Sequence, residues 1–272
     1  MIQPYYDLKA WAIRQIFDKR GTECYILSYP KCGRTWLRLL IGKVMCDQFN
    51  QPEEKIIGTY RLTAVPGVLR THFSHDYSSI KESFPYNRMP QDKSQYAPAK
   101  VIFLIRDIRD TLVSSYFQAT KRVNRFHGPL SDFLRSDKYG VRKIVTYYNL
   151  WYENQNVPRD FLLLRYEDLH QNPTAVLRQT LQFMEMAEVR EDLLTAAVHY
   201  ASFDNMKKME SKGALDTDKM QPGQQADNES YKVRKGVVGG YGEYLSADDL
   251  AYIDAVIQEV GCPFAELYAP SK

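Results

Sequence analysis

Cysteine is scarce in this chain, and the few cysteines are not spaced for metal binding. Four occur among 272 residues, at Cys24, Cys32, Cys46 and Cys262, and no two of them form a C-x-x-C pair. This spacing predicts no metal site. Because the N-terminus also lacks the pattern of a secretion signal, we expect a reducing compartment and a cytoplasmic protein.

Long apolar runs and an excess of one charge sign are also missing. No apolar stretch reaches the roughly 20 residues that a membrane-spanning helix needs, so the sequence predicts no membrane partner. Thirty-six basic and thirty-three acidic residues leave a formal charge of +3. A charge this small gives no indication of nucleic-acid binding, and the positions of the basic residues matter more than their number.

The apolar residues that are present fall into short runs separated by amphipathic stretches. Runs typical of buried strands occupy 25–29, 68–73, 101–105 and 161–164. Helical periodicity occupies 141–152, 177–184 and 250–260. This alternation predicts an α/β fold with a central, mainly parallel sheet flanked by helices. We expect a single domain over residues 1–272, with a core at about 21–262.

Two polar segments lack any such periodicity. They span 83–98 and 207–232, and the second leads directly into a basic Arg-Lys-Gly sequence. Loops of this length inside a domain commonly act as lids or inserts. The sequence therefore predicts surface loops at both places, with a lid-like segment at about 207–232.

The first chemical motif is an apolar run that leads into a basic turn and then into an amphipathic stretch. Residues 24–40 read as a strand, a loop carrying Lys31 and Gly33, and a helix. The first N–H groups of a helix have no partner within the helix, so this loop can bind a phosphate or sulfate. It resembles a P-loop in layout, but it is not a Walker A sequence because Lys31 precedes the glycine.

The second motif begins where a buried strand ends at Arg106. Asp107 is placed to cap the next helix, and Ser114 follows Arg106 by eight positions, about two helical turns. Arg106 and Ser114 can therefore grip one phosphate from two sides. The alternative is a structural ion pair between Arg106 and Asp110 or another carboxylate.

A third basic element lies near the C-terminal end, at Arg234, Lys235 and Gly236. An arginine can fork onto phosphate oxygens, a lysine adds a point charge, and a glycine allows close backbone approach. The alternative interpretation of such a basic pair with glycines is a solvated loop.

The order and wording of these motifs resemble those of the sulfotransferases that use 3′-phosphoadenosine 5′-phosphosulfate (PAPS). The resemblance implies PAPS as co-substrate, adenosine 3′,5′-bisphosphate (PAP) as product, and no metal. The positions that match the family's donor-binding residues are Lys31, Cys32, Gly33, Arg34 and Thr35 at the phosphosulfate, Arg106, Ser114, Arg234, Lys235 and Gly236 at the 3′-phosphate, and Trp36, Tyr166, Ser202 and Phe203 at the adenine.

The family's catalytic Lys-Thr-His sequence is similar to Arg70-Thr71-His72. By this resemblance His72 is the general base and Lys31 neutralises the leaving oxygen. His75 is the competing base candidate. A lone histidine is otherwise an ordinary core or surface residue, so this assignment depends on the motif.

Several positions depart from the family pattern. Arg34 stands where the family more often has threonine, and it either contacts a phosphate or faces solvent. Cys32 either has a lowered thiol pKa near the helix start or simply replaces a serine. The family's short C-terminal dimer motif is missing, so the sequence leaves the oligomeric state open.

These parts together predict in-line transfer of a sulfuryl group to a hydroxyl or amine of a small phenol, alcohol or natural product. Two other functions share some of the parts. A P-loop nucleotide kinase would need a lysine followed by serine or threonine after its glycines. A non-catalytic binder of adenosine bisphosphates or sulfated ligands would share the anion contacts and need no base.

Overall fold

A parallel sheet organises the chain. The computed structural model describes residues 21–81, 84–186, 188–213, 230–231, 233 and 236–268. Within these residues the strands are β1 Cys24–Ser28, β2 Thr71–Ser74, β3 Lys100–Ile105 and β4 Asp160–Arg165. Their order in the sheet is β2-β1-β3-β4, and every neighbouring pair is parallel. The predicted α/β fold with a parallel sheet is confirmed.

Helices connect and flank these strands. In the described part of the chain they are α1 Arg34–Gln48, α2 Thr59–Leu62, α3 Ile108–Phe117, α4 Leu130–Arg135, α5 Val141–Glu153, α6 Tyr166–Gln171, α7 Pro173–Phe183, α8 Glu191–Tyr200, α9 Phe203–Lys212, α10 Ala247–Val260 and α11 Pro263–Glu266. Helices α5, α7 and α10 coincide with the three predicted amphipathic stretches, because an apolar stripe at helical spacing needs a core to face. None of these helices is long and apolar enough to cross a bilayer.

The core lies on both faces of the sheet. β1 is buried along its whole length, and so is β3 apart from its first residue. Phe103 on β3 packs against the rings of Tyr147 and Trp151 from α5, at centroid distances of 5.6 Å. Burial on both faces explains why the sequence of these strands is continuously apolar rather than alternating.

Strand β2 differs from its prediction in a way that matters for the site. It covers Thr71–Ser74 rather than 68–73. Leu69 donates its N–H to the carbonyl of Met184, at 2.9 Å, instead of to a neighbouring strand. The carboxyl end of β2 therefore lies at Ser74, and the next residue to leave the sheet is His75.

The two predicted surface loops are only partly loops. The first, 83–98, contains two short 3₁₀ turns, Tyr86–Arg88 and Ser94–Tyr96, and it buries Lys93 and Tyr96. The start of the second is the last part of α9, which ends before Gly213 in the left-handed conformation. The remainder of the predicted lid, 214–229 and Lys232, lies outside the described residues.

Helix α9 was missed because its sequence is largely polar. Glu210 on α9 is nonetheless buried, and it accepts hydrogen bonds from Arg122 and from the N–H of Val233, both at 2.9 Å. This long-range pairing, rather than an apolar stripe, attaches the end of the helix to the domain.

Candidate functional site

A cavity of about 530 Å³ opens where the parallel strands end. The loop after β1 contributes Lys31 to its wall, and the loop after β2 contributes His75. Arg106 follows β3 and Tyr166 follows β4, and both also line the cavity. Because the sheet order is β2-β1-β3-β4, the loop after β1 lies between His75 on one side and Arg106 with Tyr166 on the other. We call this space the strand-end cavity; it is where α/β sheets usually bind ligands.

The loop after β1 is shaped by two residues in the left-handed conformation. Lys31 has φ 73° and Gly33 has φ 92°. A Cβ at Gly33 would lie 2.6 Å from Cδ2 of Tyr166, so the close packing of this turn against α6 requires glycine. Gly33 caps α1 without any side-chain hydrogen bond. The first N–H groups of α1, at Arg34, Thr35 and Trp36, therefore border the cavity in a position suited to an anion.

Cys32 points the other way, into the core. Its Sγ lies 3.6 Å from the Tyr148 hydroxyl and 3.9 Å from the Thr111 hydroxyl. Burial raises the pKa of the Cys32 thiol to about 11. This environment supports the interpretation of Cys32 as a replacement for serine and opposes a lowered thiol pKa.

Arg106 is held in place by several partners at the end of β3. Its Nη2 lies 3.3 Å from Oδ2 of Asp110 and donates to the carbonyl of Val237 at 3.2 Å. Its guanidinium lies over the ring of Tyr166, 4.3 Å from the centroid. The predicted alternative, an ion pair with Asp110, is thus present. Ser114 lines the same cavity, so the fold brings together the two residues proposed to grip one phosphate.

Asp110 and Asp107 organise this corner. Asp107 caps α3 as predicted, accepting from the N–H groups of Arg109 and Asp110 at 2.8 and 3.1 Å. Asp110 accepts from the N–H groups of Gly239 and Tyr241, at 2.8 and 3.0 Å. Asp110 therefore both orients Arg106 and attaches the C-terminal glycine-rich segment to the cavity rim.

Aromatic residues form the wall on the β4 side. The rings of Trp36 and Tyr166 meet edge to face with centroids 6.0 Å apart, and Phe203 also lines the cavity. Gly236 has φ 63°, and a Cβ there would lie 2.2 Å from Cδ2 of Phe203. His170, which the sequence did not single out, lies 2.8 Å through its Nε2 from the carbonyl of Gly236 and lines the same wall.

Not every predicted residue reaches the cavity. Among the described candidates, Cys32, His72 and Ser202 do not line it. Ser202 is the N-cap residue of α9. Arg234 and Lys235 lie outside the described residues. Their roles stay predictions from the motif.

The two candidate bases occupy different environments. His72 lies within β2, paired with Tyr25 of β1, and its ring is 6.2 Å from that of Tyr25 and 6.0 Å from that of Tyr60. His75 lies just beyond β2 and lines the cavity. The motif pointed to His72. The signal for His75 is the carboxyl end of β2, which the sequence predicted at residue 73, one residue too early.

The hydrogen bonds of His75 indicate which ring nitrogen carries its proton. Nδ1 lies 2.9 Å from the carbonyl oxygen of Ser28. A carbonyl only accepts, so in the neutral ring Nδ1 bears the hydrogen and Nε2 presents its lone pair. Nη2 of Arg34 lies 2.5 Å from Nε2 and donates to it. This tautomer is the one that a general base needs on its cavity side.

A buried polar cluster anchors the turn after His75. Asp76 and Tyr77 both have positive φ, 42° and 67°. The Asp76 carboxylate accepts from Nζ of Lys93 at 2.7 Å, from the Tyr96 hydroxyl at 2.7 Å and from Nε1 of Trp151 at 3.0 Å. No sequence pattern revealed this cluster, because Lys93 stands in a polar segment without periodicity.

The charge of the cavity wall is predominantly positive. The described lining residues include the cations Lys31, Arg34, Lys81 and Arg106, against one carboxylate, that of Asp110. Among the described residues, no cluster of three or more His, Cys, Asp or Glu side chains is placed to hold a metal ion. Buried polar groups without a partner include Nε of Arg106 and Nε1 of Trp36. The wall is therefore suited to a polyanionic ligand with a planar ring.

Comparison with known proteins agrees with this geometry. The family model described as "Sulfotransferase domain" matches residues 22–265. A flavonol 4′-sulfotransferase from Flaveria chlorifolia is 23% identical, over 90% of this chain and 81% of its own. Sulfotransferase 1B1 of Mus musculus is 24% identical, over 95% of this chain and 90% of its own. A mouse sulfotransferase, SULT7A1, solved in complex with PAP, superimposes with a TM-score of 0.64 at 20% identity, covering 91% of this chain and 88% of its own.

Proposed function

Because this chain belongs to the sulfotransferase domain family, we propose that it transfers a sulfuryl group from PAPS to a hydroxyl or amine of a small-molecule acceptor. The observation that carries this proposal is the strand-end cavity, whose wall combines cations from separate loops with one engaged carboxylate. PAPS carries charge at both ends of one adenosine, which matches cations placed after two different strands.

The loop after β1 suits the 5′-phosphosulfate. Lys31 and the N–H groups at the start of α1 border the cavity, and Thr35 adds a hydroxyl. Gly33 allows the backbone to approach the anion closely. In this arrangement Lys31 stabilises the negative charge that develops on the leaving phosphate oxygen.

The β3 and β4 side suits the adenosine 3′-phosphate. Arg106, oriented by Asp110, and Ser114 face one anion site, and Trp36, Tyr166 and Phe203 supply rings that can stack on a purine. Arg234 and Lys235 are assigned to the 3′-phosphate by their motif alone, and Ser202 to the adenine in the same way. Gly236, whose backbone packs against Phe203, supports that location.

The geometry supports His75, rather than His72, as the general base. PAPS supplies the sulfuryl group and a bisphosphate leaving group. The acceptor oxygen forms a bond to sulfur as the bond from sulfur to the bridging phosphate oxygen breaks in line, with the electron pair leaving on PAP. The acceptor's proton passes to Nε2 of His75, while the Ser28 carbonyl holds Nδ1–H and so stabilises the cation that forms.

The acceptor is proposed to be small. The cavity volume of about 530 Å³ has to hold the donor as well as the acceptor. Ile80, Val123 and Met206 give it apolar walls beside its cations. The name of the Flaveria chlorifolia relative gives a flavonol as its acceptor, which is a small phenolic molecule.

A matched pair of histidine variants tests the base. We expect His75→Ala to lower the turnover of labelled sulfate transfer by about 10²- to 10⁴-fold, the usual contribution of a positioned base. His72→Ala removes a histidine three residues away whose ring packs within β2 and serves as the control. Both variants should bind PAP with nearly the affinity of the parent protein. Normal turnover in His75→Ala together with loss in His72→Ala would return the role to His72.

Calorimetry with PAP separates the proposal from its rivals. A transferase and a non-catalytic binder both bind PAP, and only the transferase moves labelled sulfate from PAPS to an acceptor. A nucleotide kinase would instead transfer phosphate from ATP. Absence of PAP binding by the purified protein would remove the basis of the proposal.

A further inference from the structure

Two arginines on the first helix are largely withdrawn from water: Arg38 is buried and Arg34 is half-buried. Arg34 and Arg38 are one turn apart on α1 and share a face. Arg38 is only 8% exposed, and its guanidinium lies over the ring of Phe73, 4.4 Å from the centroid. Its Nε has no hydrogen-bond partner. Among the described residues, no carboxylate forms an ion pair with either arginine.

Two other arginines with little exposed side chain have carboxylate partners. Arg106 has Asp110, and Arg122 has Glu210 at 2.9 Å. Burial lowers the pKa of Arg34 to about 9, with a further contribution from the charge of Arg38, and burial lowers the pKa of Arg38 to about 10. Both remain protonated at neutral pH. A cation removed from water without a counter-ion is strongly destabilised, so an anion that binds here is held with unusually favourable free energy.

The position of Arg34 indicates that this anion belongs to the acceptor and not to the donor. Its guanidinium donates to Nε2 of His75, on the β2 side of the loop after β1. Lys81, which follows His75 in the chain, also lines the cavity. The one described carboxylate in the wall, Asp110, belongs to the opposite side, where it pairs with Arg106.

From this juxtaposition we infer that the acceptor carries an oxyanion of its own, a carboxylate, sulfonate or phosphate, which binds Arg34 close to the hydroxyl or amine that receives the sulfuryl group. The inference rests on the proposed function. Arg38 adds its charge from behind, and the planar guanidinium of Arg34 matches the two oxygens of such a group.

The same contact couples acceptor binding to the base. Arg34 donates to the very lone pair on Nε2 that has to take the acceptor's proton. An oxyanion that draws Arg34 into an ion pair releases Nε2 for the hydroxyl. A neutral acceptor forms no ion pair with Arg34, so Arg34 stays hydrogen-bonded to Nε2 of His75. Arg34 therefore favours anionic acceptors in two ways. It attracts their negative charge, and it frees Nε2 of His75 only when that charge is present.

The test compares two acceptors that differ in one charge, 4-hydroxyphenylacetate and 4-hydroxyphenylacetamide. With the parent protein we expect kcat/KM to favour the acid by about tenfold or more, the size of one charge-assisted hydrogen bond. Arg34→Thr, which installs the residue more frequent in the family, should abolish most of this preference by lowering kcat/KM for the acid much more than for the amide. Arg38→Met, which keeps the apolar contact with Phe73, should raise KM for the acid and leave kcat nearly unchanged.

The affinity for PAP distinguishes the alternative role of Arg34. If Arg34 serves the acceptor, calorimetry should give the same PAP affinity for Arg34→Thr and the parent within about threefold. Equal losses for both acceptors, together with PAP binding weakened by about tenfold or more, would place Arg34 on the donor phosphates and overturn the inference. Equal kcat/KM values for the two acceptors in the parent would overturn it as well.

A second readout covers acceptors unlike these probes. A metabolite extract is divided by anion exchange into retained and unretained pools, and each pool is incubated with PAPS and screened by mass spectrometry for gain of one SO3 unit. We expect the gain in the retained pool. Gain confined to the unretained pool overturns the anionic acceptor and leaves the transferase standing, whereas no gain in either pool overturns the transferase and this inference with it.

Discussion

Replacing Asp76 by asparagine tests how the turn carrying His75 is held. Asp76 pairs with Lys93 at 2.7 Å, and the two side chains are 0% and 1% exposed. Asparagine tolerates the left-handed backbone at this position and can still accept from Tyr96 and Trp151. The substitution therefore removes mainly the charge, which leaves the Lys93 ammonium buried without a counter-ion.

The expected loss of unfolding free energy is large, although the substitution replaces only one carboxylate oxygen with an amide nitrogen. Breaking a buried ion pair from one side costs about 3–5 kcal/mol. For a domain of this size each kcal/mol lowers the melting temperature by roughly 2–4 °C, so Asp76→Asn should melt about 6–20 °C below the parent. Even at temperatures where Asp76→Asn stays folded, its rate of labelled sulfate transfer should be lower than that of the parent, because Asp76 anchors the turn that carries His75.

Differential scanning calorimetry on a set of variants isolates the charge effect. The double variant Asp76→Asn with Lys93→Met carries no charge at either of these two positions and should melt above Asp76→Asn alone. Asp192→Asn breaks an exposed ion pair with Arg190 and serves as the control, with an expected loss under about 1 kcal/mol. A melting temperature for Asp76→Asn equal to that of the control, or strictly additive losses in the double variant, would refute the reasoning.

Two further predictions concern Gly236 and Cys32. In Gly236→Ala the new Cβ would lie 2.2 Å from the Phe203 ring, so this variant should bind PAP about tenfold more weakly than the parent. Gly239 also has positive φ, but a Cβ there meets nothing within 4 Å, so Gly239→Ala should bind PAP like the parent. Equal PAP affinities of the two variants in calorimetry would contradict the close packing at Gly236. Because burial raises the pKa of Cys32 to about 11, its stabilising contribution is complete below the unfolded value near 9 and is lost as pH rises through 11. Melting temperatures of Cys32→Ala should therefore decline less than those of the parent between pH 9 and 11, and parallel declines would refute this assignment.

Local sequence determined the elements around the site well. Apolar runs and helical stripes predicted β1, β3, β4, α5, α7 and α10 close to their observed bounds, because burial on two faces or on one stripe constrains each residue type directly. The turn after β1 was predicted for a similar reason. Its apolar run, Lys31, Gly33 and amphipathic helix are adjacent in the chain, so no distant contact was needed to recognise them.

The polar segments were predicted less well, because their order depends on partners far away in the sequence. The polar sequence of α9 gave no helical stripe, and yet Glu210 is buried against Arg122, 88 positions earlier. Lys93 likewise has the sequence context of a surface residue, and the distant Asp76 carboxylate supplies the opposite charge that stabilises it in the interior.

By itself, then, the sequence determined the family motifs, the parallel sheet and the anion-binding loop, since each depends on neighbouring residues. Tertiary structure alone decided which histidine reaches the cavity and which charges lack partners. His72 and His75 are separated by a strand end whose position depends on pairing with β1. Arg34 and Arg38 have no carboxylate partner in the described part of the chain, and this depends on the distant elements packed around them, which no local sequence pattern records.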